Sequence, residues 1–306
     1  MSTLYREYDP ATLERLHRVL LEMLGDFIAL CDRHGIRWWT EFGTTLGALR
    51  HGGMIPWDDD IDLGMLREDY GKFLAAVEED LGDKYYVLDG ERPGCPFPMA
   101  RFCLRGTVFR DECYAGIDLP FGIFLDIYCY DRLSDDPKEA HRQWVHSWVW
   151  GKLMVLREVR SPVLYIGGVK AAIVRAACFL GHYALRLLTR PGFPYRMAMR
   201  WTRRCEGRET ARVFHPFDTK PFMQEIRLDE LFPTEGRPFG GLTVQVPKTA
   251  DAYMRKYFGD YMKLPPPESR HNHPPAELDF GGHGGDGGDA DGAAEPVPPS
   301  GPGRRR

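Results

Sequence analysis

No two of the seven cysteines (Cys31, Cys95, Cys103, Cys113, Cys129, Cys178, Cys205) form a CxxC pair. Their odd number and wide scatter argue against a disulfide framework or a zinc knuckle and point to a reduced, cytoplasmic protein. The opening MSTLYREYDP has no apolar core of a secretory signal. Long hydrophobic runs are missing too. The most apolar region, Ser161 to Arg190, is interrupted by Lys170, Arg175 and Arg186, and its uncharged runs, such as Ser161 to Val169, fall short of the roughly 18 residues a span needs. Acids are scarce over one stretch. From Lys152 to Arg212 there are 13 Lys or Arg against 3 Asp or Glu. Such a block suits an anionic partner, whether a membrane surface, a phosphorylated polymer or a nucleic acid, and equally suits a solvated helix face. Its helices can lie at the inner face of a membrane as amphipathic pairs. Core helices with snorkelling cations are the commoner source of the same pattern. It contains no RNA-binding motif, so nucleic acid is not expected, and the chain has no internal repeat.

What remains is ordinary globular material. The 306 residues, 43% apolar and 27% charged, suffice for one large domain or two small ones with a substantial core. Asp9 as cap, Pro10 at the first position, a helical apolar period from Leu13 to Ile28 and the breaker Gly35 predict the first helix. Ile36–Phe42 reads as a strand, Gly43-Thr44 as a turn, Thr44–His51 as a short helix, Asp60–Met65 as a half-buried strand, and Arg67–Leu81 as an amphipathic helix. Strands are expected at Tyr85–Leu88, Met99–Leu104, Ile123–Tyr128, Ile226–Leu228 and Leu242–Val246. Helices are expected at Asp136–Arg160, at Ser161–Arg190 with a break near Gly167, at Tyr195–Cys205, and at Thr249–Tyr257 with the Thr as cap. From Asp279 the chain is Gly, Asp and Pro, the composition of a disordered tail.

Ile55-Pro-Trp-Asp-Asp-Asp-Ile-Asp-Leu-Gly64 carries the chemistry. Four aspartates in five positions repel one another unless a cation or solvent separates them. On a strand, Asp60 and Asp62 point to one side while Ile61 and Leu63 point into the core. Two adjacent carboxylates supply the hard oxygen ligands that Mg²⁺ or Mn²⁺ requires. Upstream, Gly43 and Thr44 between a strand and a helix admit a phosphate. Downstream, Asp126 stands alone in the apolar strand Phe124-Leu-Asp-Ile-Tyr128, a costly place unless it serves as a third ligand, a base or the partner of an arginine. A calcium loop beginning at Asp58 fails at its sixth position, Leu63, and its twelfth, Asp69. A Gly-Thr turn, an Asp-apolar-Asp strand and a later apolar-Asp-apolar strand together form the pattern of polymerase-β-like nucleotidyltransferases. The expected class is therefore α/β (α+β): such a core with a mixed sheet, plus a helical insert.

The stretch from Glu41-Phe-Gly-Thr-Thr-Leu-Gly through Ile55-Pro-Trp-Asp-Asp-Asp-Ile-Asp-Leu-Gly-Met65 resembles the LicD family of bacterial phosphocholine transferases and, more distantly, fukutin-type ribitol-phosphate transferases. Further similarity lies at Ala100–Thr107, Gly122–Ile127, Val246-Pro247, Tyr257–Pro266 and His273, so that it covers about residues 10–280. The resemblance implies four parts: a nucleotidyltransferase core at 10–135 with the metal site, a basic helical insert at 136–212, a completing part at 213–278, and a tail at 279–306. It further implies Asp60, Asp62 and Asp126 as catalytic and metal-binding, and Gly43 and Thr44 as the phosphate turn. Arg50, His51 and Arg101 match basic positions for the diphosphate. The implied reaction moves a phospho-alcohol, phosphocholine first, from a CDP-activated donor to a glycan or glycolipid hydroxyl and releases CMP. Trp57, with Trp38, Trp39 and Tyr114, is a ring that a quaternary ammonium would need. Alternatives left open are ribitol- or glycerol-phosphate transfer, a nucleotide-adding enzyme, and a non-catalytic membrane-associated scaffold.

Overall fold

Helix α1 (Pro10–His34) begins and ends where its sequence signals stand. The Asp9 carboxylate accepts the Thr12 N–H at 3.0 Å, and Gly35 closes the last turn in the left-handed conformation at φ 61°. The buried face of α1, with Leu16, Leu20, Met23, Leu24, Phe27 and Leu30, belongs to the main core, each such side chain contributing roughly 1.5–3 kcal/mol by leaving water. The computed structural model describes residues 7–160, 168–218, 221–270, 272 and 274–285.

The elements that follow are β1 (Trp39–Thr40), α2 (Phe42–Arg50), β2 (Asp62–Leu66), α3 (Arg67–Asp80), β3 (Tyr85–Leu88), β4 (Ala100–Leu104), β5 (Val108–Arg110) and β6 (Phe124–Leu133). Then come α4 (Pro137–Glu158), α5 (Gly168–Leu188), α6 (Phe193–Thr202), β7 (Arg212–His215), β8 (Gln224–Arg227) and α7 (Leu228–Leu231). β9 (Glu235–Phe239), β10 (Leu242–Val246), α8 (Ala250–Phe258) and β11 (Glu277–Asp279) complete the order.

The main sheet runs β1-β2-β6-β4-β3, and β7 and β8 extend it from the far half of β6. β2 and β6 are parallel and the other pairs antiparallel, so the sheet is mixed and the fold is α+β, as expected. Ile61, Leu63 and Met65 join the core under α1 and α3. Leu66, on the other face, joins a second core with Trp39, Tyr130 and Tyr253. Gly64 shares that face, where a Cβ would sit 2.4 Å from the Trp39 indole, so only glycine lets the ring close over β2.

Several boundaries differ from expectation. The strand foreseen over 36–42 shrinks to Trp39–Thr40 because α2 starts at Phe42. Gly43 and Thr44 therefore stand inside the first turn of α2 rather than ahead of it. Asp60 precedes β2, which begins at Asp62. β6 runs on to Leu133 because its far half recruits β7, a strand not anticipated. Leu228 opens α7 instead of ending a strand. Thr249 does not cap α8 with its side chain; its hydroxyl donates to the Glu230 carbonyl at 3.1 Å.

Gln143 fastens α4 to the sheet end. Its amide donates to the Arg132 and Thr202 carbonyls at 2.9 and 3.0 Å, and its oxygen accepts from Ser134 N–H at 3.1 Å. The break foreseen near Gly167 lies outside the described residues. The tail was expected to begin at Asp279, yet that residue ends β11, which pairs with β5. Past it the Arg15 guanidinium donates to the His283 carbonyl at 2.6 Å, holding the chain against α1. The rest of that tail, 286–306, is outside the described residues, as is His273.

Candidate active site

Parallel pairing of β2 with β6 sets Asp62 opposite Asp126, and antiparallel pairing of β4 with β6 sets Arg101 opposite the same Asp126. Directly opposed residues share a face, so one row across three strands carries acid, acid and arginine. Arg101 Nε donates to Asp126 Oδ1 at 3.2 Å, and its guanidinium lies between the Phe97 and Phe124 rings at 3.8 and 3.7 Å. Of the three roles open to a lone Asp126, that of partner to an arginine is thus met.

Thr44 ties the first turn of α2 to this row, its hydroxyl accepting the Asp62 N–H at 2.8 Å. Gly43 lets the neighbouring acid approach, since a Cβ there would sit 2.7 Å from Asp58 Oδ2. His17 of α1 meets the Asp58 carbonyl at 2.7 Å. Carboxylate oxygens of Asp58, Asp59 and Asp60 all come within 4.8 Å of one another. Burial, then Asp62, Asp58 and Asp59, hold the Asp60 carboxyl well above the usual range. Asp62 is raised the same way by burial and by Asp126, Asp58 and Glu41, with a hydrogen bond from Tyr128 opposing. Burial also raises Asp126, and Arg101 pulls it back. Crowded buried carboxyls that resist ionisation, with a single arginine in the row, form the hard, anionic oxygen set that a divalent cation would relieve. The residues fit such a cation.

Glu41 was not singled out from the sequence as functional. It stands between β1 and α2, is 1% exposed, and its backbone N–H donates to the Asp62 carbonyl at 3.0 Å. Its carboxylate accepts the Trp39 indole N–H and the Tyr253 hydroxyl, each at 2.5 Å. Burial pushes it up to about 7, against the lowering pull of Tyr253, Trp39 and Tyr130. The signal that would have found it is the one used for Asp126: a lone acid beside an apolar run.

A second group sits around Trp57, one residue before Asp58. Arg50 and Arg270 lie over its ring at 6.0 and 4.7 Å, and His51 meets it edge-on at 6.2 Å. Arg50 also donates to His51 Nε2 at 3.0 Å and to the Tyr261 carbonyl at 2.5 Å. Partial burial and Arg270 lower the Arg50 pKa, and burial with Arg50 lowers that of His51. Arg50, His51 and Trp57 thus form one cluster, whereas Arg101 belongs to the acid row. Arg270 was missed because nothing local marks it. Trp38 and Trp39 are core residues, 4% and 0% exposed, and do not offer a ring to a ligand. Tyr114 stacks on Phe121 with centroids 5.5 Å apart.

Residues 35–92 match the family described as LicD/FKTN/FKRP, nucleotidyltransferase domain. The chain is 28% identical over 270 residues to the lipopolysaccharide cholinephosphotransferase LicD of Haemophilus influenzae, covering 86% of this chain and 96% of that protein. It is also 46% identical over 54 residues to the ribitol 5-phosphate transferase FKRP of Mus musculus, over 18% of this chain and 11% of that one.

Proposed function

We propose that the chain is a LicD-type transferase that moves a phospho-alcohol, phosphocholine first, from a CDP-activated donor to a hydroxyl of a glycan or glycolipid. The observation that carries the reading is the acid row: Asp62 beside Asp126 on parallel strands, with Asp60 two residues ahead of Asp62. The choice of choline rests on similarity along nearly the whole cholinephosphotransferase. Ribitol phosphate is the second reading, supported by the higher identity to the ribitol transferase over a shorter stretch.

Asp60 and Asp62 would hold Mg²⁺ or Mn²⁺, which when bound draws charge from the diphosphate and the departing CMP. Phe42, Gly43 and Thr44 bring the start of α2, the end of a helix that favours anions, beside that pair. Thr44 fixes the entry of β2 and thus the aim of the Asp62 carboxylate. Asp126, its carboxyl raised by burial and steadied by Arg101, takes the proton of the acceptor hydroxyl. The acceptor oxygen then bonds the distal phosphorus, the bridging P–O bond breaks, and its electron pair leaves with CMP. Arg50 and Arg270 around Trp57, with His51 beside them, form the cationic, partly aromatic surface for the remaining donor charge. All seven cysteines are free thiols, which supports a reducing compartment.

The test is CMP release from CDP-choline, CDP-ribitol and CDP-glycerol, with Mg²⁺ or Mn²⁺ and a glycan extract, in the parent and in Asp62→Ala. Release from one donor that disappears in the variant supports the reading and names the alcohol. Nucleotide retained on the product would instead mean a nucleotide-adding enzyme. No release with any donor would leave a scaffold.

A further inference from the structure

Helix α5 leaves most of itself uncovered. Only 11% of Lys170–Leu188 is buried, although by length and composition this helix is apolar enough to cross a membrane. Ile173, Leu180 and Leu187 are 64%, 70% and 86% exposed. They recur every seven residues and so form one line along the helix, pointing away from the protein. Leu188 flanks the line on one side, and Phe179 and Tyr183 on the other, all exposed. On the opposite side Ala171 and His182 are buried, and α4 holds the helix. His182 Nδ1 meets the Leu156 carbonyl at 3.1 Å, and the Arg157 guanidinium donates to Thr189 Oγ1 and to its carbonyl at 3.1 and 3.2 Å.

The charge around this face has one sign. Between Glu158 and Glu206 the sequence has no Asp or Glu and nine Lys or Arg. Lys170, Arg175 and Arg186 lie on α5 itself, all exposed. We propose that α5 lies flat on an anionic lipid bilayer, its Ile173–Leu180–Leu187 line in the acyl boundary and its cations among the headgroups. An apolar line with basic residues and no acid matches such an interface. A second copy of the chain would bring the same cations face to face, and like charges oppose that contact. Full insertion would drag α4, with Lys152, Arg157 and Glu158, into hydrocarbon.

The experiment is flotation of the full-length protein with phosphatidylcholine vesicles, with and without phosphatidylglycerol, and with no donor or acceptor present. Its outcome therefore does not depend on the proposed reaction. Binding should require the anionic lipid and weaken with salt. Leu180→Glu/Leu187→Glu, at exposed positions, should keep the parent's thermal midpoint and bind roughly a hundredfold more weakly. Lys170→Gln/Arg186→Gln should bind roughly 30-fold more weakly at low salt. Failure of the parent to bind anionic vesicles overturns the proposal, as does unchanged binding by the Glu variant. Resistance to alkaline extraction would replace it with a membrane span. Self-association that the Glu variant abolishes, without vesicle binding, would replace it with a dimer interface.

Discussion

Replacing Arg101 with Met tests the centre of the site. The pair it forms with Asp126 has both side chains 11% exposed, and its guanidinium sits between two phenylalanine rings. Methionine preserves much of the apolar contact but leaves Asp126 facing Asp62 and Asp111 without a cation. Breaking a buried pair from one side costs about 3–5 kcal/mol. Loss of the cation over the rings costs a further 0.5–2 kcal/mol or so, and methionine sulfur against the same rings returns about 0.3–1.5 kcal/mol. The net expectation is a destabilisation of roughly 3–5 kcal/mol. Adding Asp126→Asn removes the orphaned charge and should recover at least half of that loss. The sign with pH is definite. Without Arg101 the folded-state pKa of Asp126 rises further above its unfolded value, so the deficit is full above the folded pKa and shrinks as acid protonates the group. Urea denaturation of the parent, the single and the double variant with chelator present measures all three quantities. A single variant within about 1 kcal/mol of the parent, or a double variant no more stable than the single, would refute the reasoning.

Gly43→Ala would place a Cβ 2.7 Å from Asp58 Oδ2, a carboxylate end that can swing aside. Stability should change by less than about 1 kcal/mol in a melt, while CMP release falls about tenfold or more as Asp58 leaves its place. Tyr253→Phe removes a hydroxyl that donates to buried Glu41, and denaturant unfolding should show a loss of about 1.5–3 kcal/mol. His215 is buried and its pKa is lowered to about 4 by lost hydration, so the native chain holds it neutral. An unfolded histidine protonates near 6.5. Stability from this group is therefore full above that pH and declines as pH falls toward 4, by about 3 kcal/mol in all. His215→Gln should flatten that part of the pH–stability curve.

Much of this was legible because the relevant signals are local. Asp9, Pro10 and Gly35 bracket α1 through bonds within one or two turns, and Ile61 and Leu63 reveal their face by alternation alone. Boundaries set by distant partners were not legible. β6 is long because β7, some eighty residues on, pairs with its far half. Glu235-Gly-Arg-Pro-Phe239 carries glycine, proline and charge and reads as loop, yet pairing with β10 makes it a strand. The same division runs through the site. The aspartates were visible as a cluster in sequence, but Tyr253 and Arg270 reach Glu41 and Trp57 from more than two hundred residues away, and no spacing announces them.

That distance has a consequence for the protein as it is being made. Glu41 and Tyr253 are 212 residues apart, so at about 5–20 residues per second a ribosome needs roughly 10–40 seconds to supply the second after the first. Asp62 likewise stays without its neighbouring strand until Asp126 emerges. Until Asp126 emerges the β6-facing edge of β2 is unpaired on the nascent chain, and Glu41 lacks its Tyr253 partner for longer still. Slow late codons or early truncation should therefore yield aggregates rather than a weakly active enzyme, and a nascent-chain chaperone would find its binding window there.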